Sequence, residues 1–401
     1  MLTNKTVVLG VTGSIAAYKI ANVASMLVKM NADVHVIMTK NATNFINPIT
    51  FESLTHNKCL VDTFDRNFEF KVEHVALAKK ADVFMVAPAS ANVIGKMANG
   101  IADDMLTTTV LAAECPIIIS PAMNTAMLNN RIVMDNIEKL KHYGMTIIEP
   151  AKGYLACGDT GAGKLPDESV LVEYILKEIA AEHDLAGKKI LVTAGPTREA
   201  IDPVRFISNH STGKMGYSIA HAAMLRGAKV TLVSGPASIT PPMFCDIVNV
   251  ESAADMYNAV MSDYSSYDII IKSAAVADYK PANTAAEKIK KDDSDSSAEI
   301  KLTRTKDILS ELGSKKRPGQ IICGFSMETE NMLENSRKKL IKKNADIIAA
   351  NSLRESGAGF GVDTNILTLI TKDSEESLSL MSKEEAANCL LNKIIEISTK
   401  N

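Results

Sequence analysis

Short runs of β-branched and apolar residues alternate along this chain with longer amphipathic stretches, the pattern of parallel α/β units. In the first half the apolar runs predict strands at Thr6–Val11, Asp33–Met38, Asp82–Ala87, Pro116–Ser120 and Met145–Ile148. Helical spacing between them predicts helices over Ile15–Met30, Ala91–Asn99, Asp104–Ala113 and Asn124–His142. Runs such as VFMVA and PIIIS lack polar alternation, so both faces of those strands should be covered by helices.

The pattern pauses in the polar stretch AEHDLAGK (Ala181–Lys188) and then restarts. Further strands are predicted at Lys189–Thr193, Lys229–Val233, Asp246–Val250, Asp268–Lys272, Gln320–Phe325, Asp346–Ala350 and Asn365–Ile370. Helices are predicted over Met215–Arg226, Ala253–Asp263, Asn331–Asn344 and Lys383–Ser398. The expected architecture is therefore two doubly wound, Rossmann-like parallel-sheet α/β domains, residues 1–186 and 187–401. Their ligands should sit beyond the C-terminal ends of the strands.

One segment breaks the alternation. Thr284–Lys306 holds six basic and five acidic residues with few apolar anchors, which suits a solvated loop. A long polar loop following a strand end is also where a substrate lid would lie.

Composition narrows the class. Apolar residues make up 46% and charged residues 23% of the 401, as in an ordinary globular protein. The net charge of −3 argues against a broad nucleic-acid surface. No uncharged apolar run is long enough for a membrane span, and the N-terminus reads as a strand rather than a leader. The six cysteines are scattered without CxxC or zinc spacing, so a reduced, cytoplasmic chain is expected.

Several strand ends carry candidate chemistry. VVLGVTGSIAAYK puts Gly13 and Ser14 at a helix N-terminus, where free N–H groups attract phosphate. An ordinary βα turn would look the same. GxGxxG is absent, and the second strand ends Met38-Thr39-Lys40 without the carboxylate an NAD ribose needs, so a mononucleotide is preferred. Ser90 and Asn92 follow the third strand among small residues, which also suit tight helix packing. Asn124 ends the next strand, either fixing a carboxylate or capping a helix. His74 precedes a strand, and Cys157 lies in the Gly-rich GYLACGDTGAGK, a setting suited to an acid or nucleophile.

In the second half Arg205 and Asn209 stand in a Gly/Ser-rich connection, and Asp278 ends a strand before Pro281. A polar loop and an Asx turn would account for them equally well. Lys288 opens the KIKK run, and Lys339 and Lys343 share one helical face, where they could converge on a triphosphate or simply complement the helix dipole.

In order and spacing, GSIAAYK, EHVALAKKAD, APASANVIGKMANGIADDML, PAMN and LACGDTGAGK resemble the flavin-dependent cysteine decarboxylases. RFISNHSTGKMG, AAVADYKP and EKIKK resemble phosphopantothenate–cysteine ligase. Together they resemble, over essentially the whole chain, the bifunctional bacterial enzymes of coenzyme A biosynthesis. The resemblance implies FMN held at Gly13, Ser14, Thr39, Ser90 and Asn92. It implies a catalytic His74, a carboxylate-binding Asn124 and a proton-donating Cys157, with the substrate thiol oxidised so that CO₂ loss becomes easy. It further implies that Arg205, Asn209 and Lys288 act in ligation. CTP would meet Ser273, Ala275, Asp278, Lys288, Lys306, Asp307, Ile308, Leu309, Phe325, Lys339 and Lys343, and Asp278 would hold Mg²⁺ or Mn²⁺. Lys164 stands where the family usually has Arg, and Lys306 where it usually has Pro.

Resemblance also implies a homo-oligomer: trimers of the first domain and dimers of the second, a combination that can close as a dodecamer. The choice of CTP over ATP rests on resemblance, since spacing cannot make it. The function expected is ligation of 4′-phosphopantothenate with cysteine, then decarboxylation to 4′-phosphopantetheine. The alternatives are a regulatory flavoprotein that keeps the fold without full activity, and an NAD-linked oxidoreductase.

Overall fold

The computed structural model describes residues 2–64, 73–154, 158, 160–290, 299–328, 331–352, 359 and 361–400. Its contacts divide the chain into two units, Met1–Glu182 and His183–Asn401. In the first, β1 (Thr6–Val11), β2 (Asp33–Met38), β3 (Val83–Ala89), β4 (Ile117–Pro121) and β5 (Thr146–Ile147) form a wholly parallel sheet ordered β2-β1-β3-β4-β5. Every residue of β1 and β3 is buried, because helices cover both faces of the sheet. The helix Lys19–Lys29 buries Ile20, Val23, Ala24 and Leu27, the i, i+3, i+4, i+7 stripe of a one-sided helix.

Two predicted helices are shorter than their apolar spacing suggests. Ile15–Tyr18 is a 3₁₀ turn before the α-helix begins. The stretch Asn124–His142 divides into Thr125–Leu128 and Arg131–His142, because Asn130 turns its side chain back to accept from the Ile132 N–H and starts a new helix. Helices Pro48–Thr55, Glu73–Lys80 and Glu168–Ile179, and a hairpin of β6 (Ala151–Tyr154) with β7 (Thr160–Lys164), add to the elements that the pattern predicts.

The second unit holds β8 (Lys189–Ala194), the hairpin β9 (Arg198–Ala200) with β10 (Phe206–Ser208), β11 (Lys229–Ser234), β12 (Asp246–Asn249) and β13 (Ile269–Lys272). These are followed by the pair β14 (Tyr279–Pro281) and β15 (Leu302–Arg304), then β16 (Ile321–Glu328), β17 (Ile347–Ser352), β18 (Thr364–Asn365), β19 (Leu367–Ile370) and β20 (Glu375–Ser377). The main sheet runs β12-β11-β8-β13-β16-β17-β19-β20. Its first six strands are parallel, whereas β19 and β20 form an antiparallel edge. The chain leaves β8 toward one edge and returns to β13 on the other side. The crevice between those two strand ends is the switch point at which doubly wound sheets take ligands. At that point the helix Lys214–Leu225 lies so close to β8 that a Cβ on Gly216 would sit 2.5 Å from Ala194 Cβ.

Candidate functional sites

In the first unit the C-terminal ends of β2, β1 and β3 are neighbours, which gathers Thr39, Gly13, Ser14, Ser90 and Asn92 at one edge of the sheet. Thr12 ties two of these loops together: its Oγ1 donates to the Pro88 carbonyl at 2.6 Å and accepts from the Ser90 N–H at 2.9 Å. Ser14 accepts from the Ala16 N–H at 3.3 Å and Ser90 from the Val93 N–H at 3.5 Å, so each starts a helical turn. Both therefore cap a helix, and both also present a helix start to the same edge. Gly13 lets the loops approach, since a Cβ there would lie 2.8 Å from Asn41 Cβ. Thr39 Oγ1 is buried and has no hydrogen-bond partner. An orphaned hydroxyl beside two helix starts, with no carboxylate on the second strand end, fits the phosphate or polar edge of a mononucleotide.

Asn124 follows β4 and caps the Thr125–Leu128 turn, its Oδ1 accepting from the Ala126 N–H at 2.8 Å. The β6–β7 hairpin docks on its neighbours: the Met123 N–H donates to the Gly163 carbonyl at 3.1 Å, and Thr125 Oγ1 to the Ala162 carbonyl at 2.7 Å. Gly163 has φ +131°, and a Cβ there would lie 2.1 Å from the Met123 oxygen, so only glycine allows this seat. Cys157 falls between β6 and β7 in the sequence and lies outside the described residues. His74 stands in the first turn of Glu73–Lys80, half-buried.

In the second unit a cavity of about 860 Å³ opens at the switch point. Its walls include Asn209, Ser273, Ala275, Asp278, Lys306, Asp307, Ile308, Leu309, Phe325, Lys339 and Lys343, all residues singled out from the sequence. Asn209 Nδ2 donates to the Ala275 carbonyl at 2.9 Å, and the Thr193 and Thr197 hydroxyls accept from the Ala274 and Ala277 N–H groups at 3.1 and 3.0 Å. These bonds fix the loop after β13. Lys339 donates to the Phe325 carbonyl at 2.8 Å, Lys343 pairs with Asp307, and the Lys306 ammonium lies 4.1 Å from the Tyr257 ring centroid. Burial opposes ionisation of Asp307, but Lys343, the Ser310 N–H and Lys272 outweigh it and hold its acid below the usual range.

Arg205 and Lys288 are not among the lining residues. Lys288 is exposed, and the Arg205 guanidinium is engaged by Asp202 and by the Ile289 carbonyl. The sequence placed Arg205 beside Asn209; β10 separates them, and only Asn209 reaches the Ala275 loop. The described ends of the charged segment are tied down rather than loose: Leu302–Arg304 pairs with Tyr279–Pro281, and the Ala285 N–H donates to the Ile201 carbonyl at 2.9 Å.

Sequence reasoning missed Lys214, Lys272, Arg304, Asn351 and Lys383, which share the same walls. Lys272 and Asn351 end the apolar runs IIIK and IIAAN, and a polar residue closing a buried parallel strand is a signal that could have found them. Burial lowers the Lys272 ammonium to about 8, with Lys339 adding to the effect and Asp307 and Asp278 opposing it. Asn351 Oδ1 is buried without a partner. Lys383 is buried too and donates to the carbonyls of Gly359, Val362 and Thr364. The walls thus carry Lys214, Lys272, Arg304, Lys306, Lys339, Lys343 and Lys383 against the carboxylates of Asp278 and Asp307. That excess of positive charge suits a polyanion. Among the described residues no cluster of three or more His, Cys, Asp or Glu could hold a metal by itself.

A family model described as Flavoprotein matches residues 1–180, and one described as DNA/pantothenate metabolism flavoprotein C-terminal domain matches residues 185–397. The chain is 48% identical over 402 residues to the coenzyme A biosynthesis bifunctional protein CoaBC of Bacillus subtilis, with 99% of this chain and 98% of that protein covered. It is 43% identical over 396 residues to the protein of the same name from Vibrio parahaemolyticus, with 99% of each covered. Among solved structures, the crystal structure of the C-terminal domain of a CoaBC protein is 44% identical, covers 55% of this chain and 100% of that one, and superposes with a TM-score of 0.47.

Proposed function

This chain belongs to the family of bifunctional coenzyme A biosynthesis proteins, and we propose that residues 1–186 carry its decarboxylase on FMN while residues 187–401 carry its ligase on CTP. Coenzyme A biosynthesis by a phosphopantothenoylcysteine decarboxylase joined to a phosphopantothenate–cysteine ligase is the activity of this enzyme. Full-length relatives bearing the bifunctional name disfavour a regulatory flavoprotein without full activity.

The observation that carries the ligase assignment is the lysine-rich cavity at the β8/β13 switch point, with Asn209 bonded across it to Ala275. In this reading a carboxylate oxygen of 4′-phosphopantothenate attacks the α-phosphorus of CTP, and the bond to the β-phosphate breaks to release pyrophosphate. The cysteine amine then attacks the acyl carbon, CMP leaves with the bonding pair, and the amine gives up a proton. Lys306, Lys339 and Lys343 counter the phosphate charge, and Phe325 packs on the base. Asn209 holds the Ser273–Ala275 backbone against the reacting acyl group, and Ile308 and Leu309 close the wall behind it. A lone Asp278 carboxylate matches the way Mg²⁺ is usually held, by one or two protein oxygens together with nucleotide phosphates. Arg205 and Lys288 act on the substrate from outside the lining seen here.

In the first domain Gly13, Ser14, Ser90 and Asn92 would hold the flavin's phosphate and ring edge, and the orphaned Thr39 hydroxyl supplies a hydrogen-bonding group there. FMN, when bound, would supply a reversible two-electron oxidation of the substrate's cysteinyl thiol, the electrons being returned to the product after CO₂ is lost. His74 handles the thiol proton, Asn124 orients the carboxylate that is lost, and Cys157 returns a proton to the product. The same reading includes a homo-oligomer, with trimers through the first domain and dimers through the second, and a cytoplasmic enzyme. No helix among the described residues is long and apolar enough to cross a membrane.

The test is to incubate the purified protein with 4′-phosphopantothenate, cysteine, CTP and Mg²⁺ and follow products by mass spectrometry. Phosphopantetheine, CMP, pyrophosphate and CO₂ are expected, with bound flavin visible by absorbance. ATP supporting the reaction as well as CTP would refute the nucleotide assignment.

A further inference from the structure

Asp202 closes the turn between β9 and β10, and its side chain has 0% solvent exposure. Its two oxygens have separate tasks. Oδ1 accepts from the backbone N–H groups of Val204 and Arg205, both at 2.8 Å. Oδ2 accepts from Arg205 Nε at 2.9 Å, from Arg205 Nη2 at 2.5 Å and from the Ile289 N–H at 3.1 Å. Arg205 Nη2 also donates to the Ile289 carbonyl at 2.7 Å. Ile289 is therefore held at both its N–H and its C=O by a turn more than 80 residues earlier in the chain. Two more bonds lay the preceding stretch along the same turn: the Ala285 N–H to the Ile201 carbonyl at 2.9 Å, and Thr284 Oγ1 to the Ala200 carbonyl at 3.2 Å.

An aspartate that served only to close the turn would be satisfied by its Oδ1 bonds. The Oδ2 arm goes beyond the turn and joins Arg205 to the backbone next to Lys288. The hydrogen bonds from Arg205, with those from the Val204, Arg205 and Ile289 N–H groups, hold the Asp202 carboxyl far below the usual carboxylate range. The carboxylate therefore stays ionised at every working pH of the enzyme, so the arrangement is a fixed brace rather than a pH switch.

We propose that Asp202 is a positioning residue of the ligase: through Oδ2 it sets Arg205 and the Lys288–Ile289 backbone as one unit, so that both cations are presented to the substrate together. This rests on the reading in which Arg205 and Lys288 act in ligation. A substitution can separate the two tasks. Asp202→Asn keeps an oxygen for the Val204 and Arg205 N–H groups, but it puts an NH₂ where Oδ2 meets the Arg205 and Ile289 donors. Donor then faces donor, and the arm opens while the turn stays closed.

The experiment uses the full-length flavin-loaded enzyme. Asp202→Asn is expected to leave decarboxylation of supplied phosphopantothenoylcysteine unchanged and to lower kcat/KM for ligation by about tenfold or more, the usual loss for a charge-assisted bond. Limited trypsin digestion should cut after Lys288 and Lys290 several-fold faster than in the unmodified protein, a readout independent of activity. Normal ligation with normal cleavage overturns the proposal. So does slower ligation with normal cleavage, because the loss would then not run through the 288–290 segment. If Asp202→Asn proves insoluble, Arg205→Gln, which leaves the turn's backbone bonds in place, must show the faster cleavage or the proposal fails. Arg205→Ala and Lys288→Gln test the underlying reading: normal ligation by both removes that reading and this role with it. If those two are inactive while Asp202→Asn matches the unmodified enzyme, only the positioning role is lost.

Discussion

Asn209 donates its side-chain amide to the Ala275 carbonyl across 2.9 Å, a bond that ties together two loops of the switch-point cavity 66 residues apart in sequence. Asn209→Asp replaces that donor with an anionic acceptor aimed at a carbonyl, and adds like charge beside a carboxylate and phosphates. Ligation should fall by about 10²–10³-fold, the scale seen when one preorganised donor is removed from an active site. Decarboxylation of supplied phosphopantothenoylcysteine should persist. A parallel loss of both activities would point to misfolding and remove the support for Asn209 as a site residue.

Lys272 should make nucleotide binding pH-dependent. Its folded-state value is lowered from 10.5 to about 8, chiefly by burial and then by Lys339, against the pull of Asp307 and Asp278. Between those two values the unfolded chain binds a proton that the folded one has lost, so this lysine's destabilising effect is full below about pH 8 and fades as pH rises toward 10.5. Binding has the opposite need, since a polyphosphate is drawn to the charged form. CTP affinity measured by calorimetry should weaken as pH is raised from 7 through about 8. Lys272→Met should cost about tenfold in affinity at pH 7 and flatten that slope. An unaltered slope in the methionine variant would show that another group titrates.

Cys157 should be the first cysteine to react. Burial raises the thiols of Cys59 and Cys245 to about 12, aided by Glu52 and Asp246, and raises those of Cys115, Cys323 and Cys389 as well. Thiols so shifted stay protonated, and thus unreactive, at pH 8. Brief iodoacetamide treatment of the native enzyme should therefore label Cys157 and abolish phosphopantetheine formation while ligation continues. Cys157→Ser should release CO₂ but accumulate oxidised enethiol, since a hydroxyl is a far weaker acid. Normal phosphopantetheine formation by that variant would remove Cys157 from the proton-donor role.

The strand-and-helix alternation was legible because a parallel sheet covered on both faces demands unbroken apolar runs, and β1, β3 and β13 are such runs. Boundaries were less so. The Asn124–His142 stretch keeps a helical period through Asn129-Asn130, and only the Asn130 cap shows that the helix restarts. Helix Pro48–Thr55 is short and buries just Phe51 and Thr55, too few positions to set a period. In the switch-point cavity the motif residues were legible one by one, but their meeting was not, because the sheet order that sets β8 beside β13 is a three-dimensional fact. Lys272 carries a signal in the sequence, a polar residue closing a buried strand, but its charge balance does not show there, because Lys339 and Asp307 come beside it only in the fold.

The two activities should separate on cutting the chain near residue 187, but the choice of cut should matter. Each half is long enough to bury its own core, at roughly 190–215 residues. A fragment ending at Glu182 should be yellow, oligomeric and able to decarboxylate phosphopantothenoylcysteine. A fragment starting at Gly187 should be colourless and convert CTP to CMP and pyrophosphate only with 4′-phosphopantothenate present. That second fragment lacks Asp184, which receives Arg226 Nε at 2.9 Å and Nη2 at 2.5 Å, and it lacks the buried Leu185. Arg226 is only 6% exposed, so losing its carboxylate leaves a largely buried cation with the Asn388 carbonyl as its remaining partner in that pair of contacts. Asp184 itself is partly in water, which screens the pair, so its removal together with Leu185 should cost on the order of 2–4 kcal/mol. A fragment starting at His183 keeps both residues and should unfold several degrees higher than the one starting at Gly187. Thermal unfolding of the two, each assayed for CTP-dependent activation, checks this. Equal stability would mean that the Asp184–Arg226 pair contributes nothing. A first fragment that is flavin-loaded yet inactive until the second is added would show that the domains share an active site.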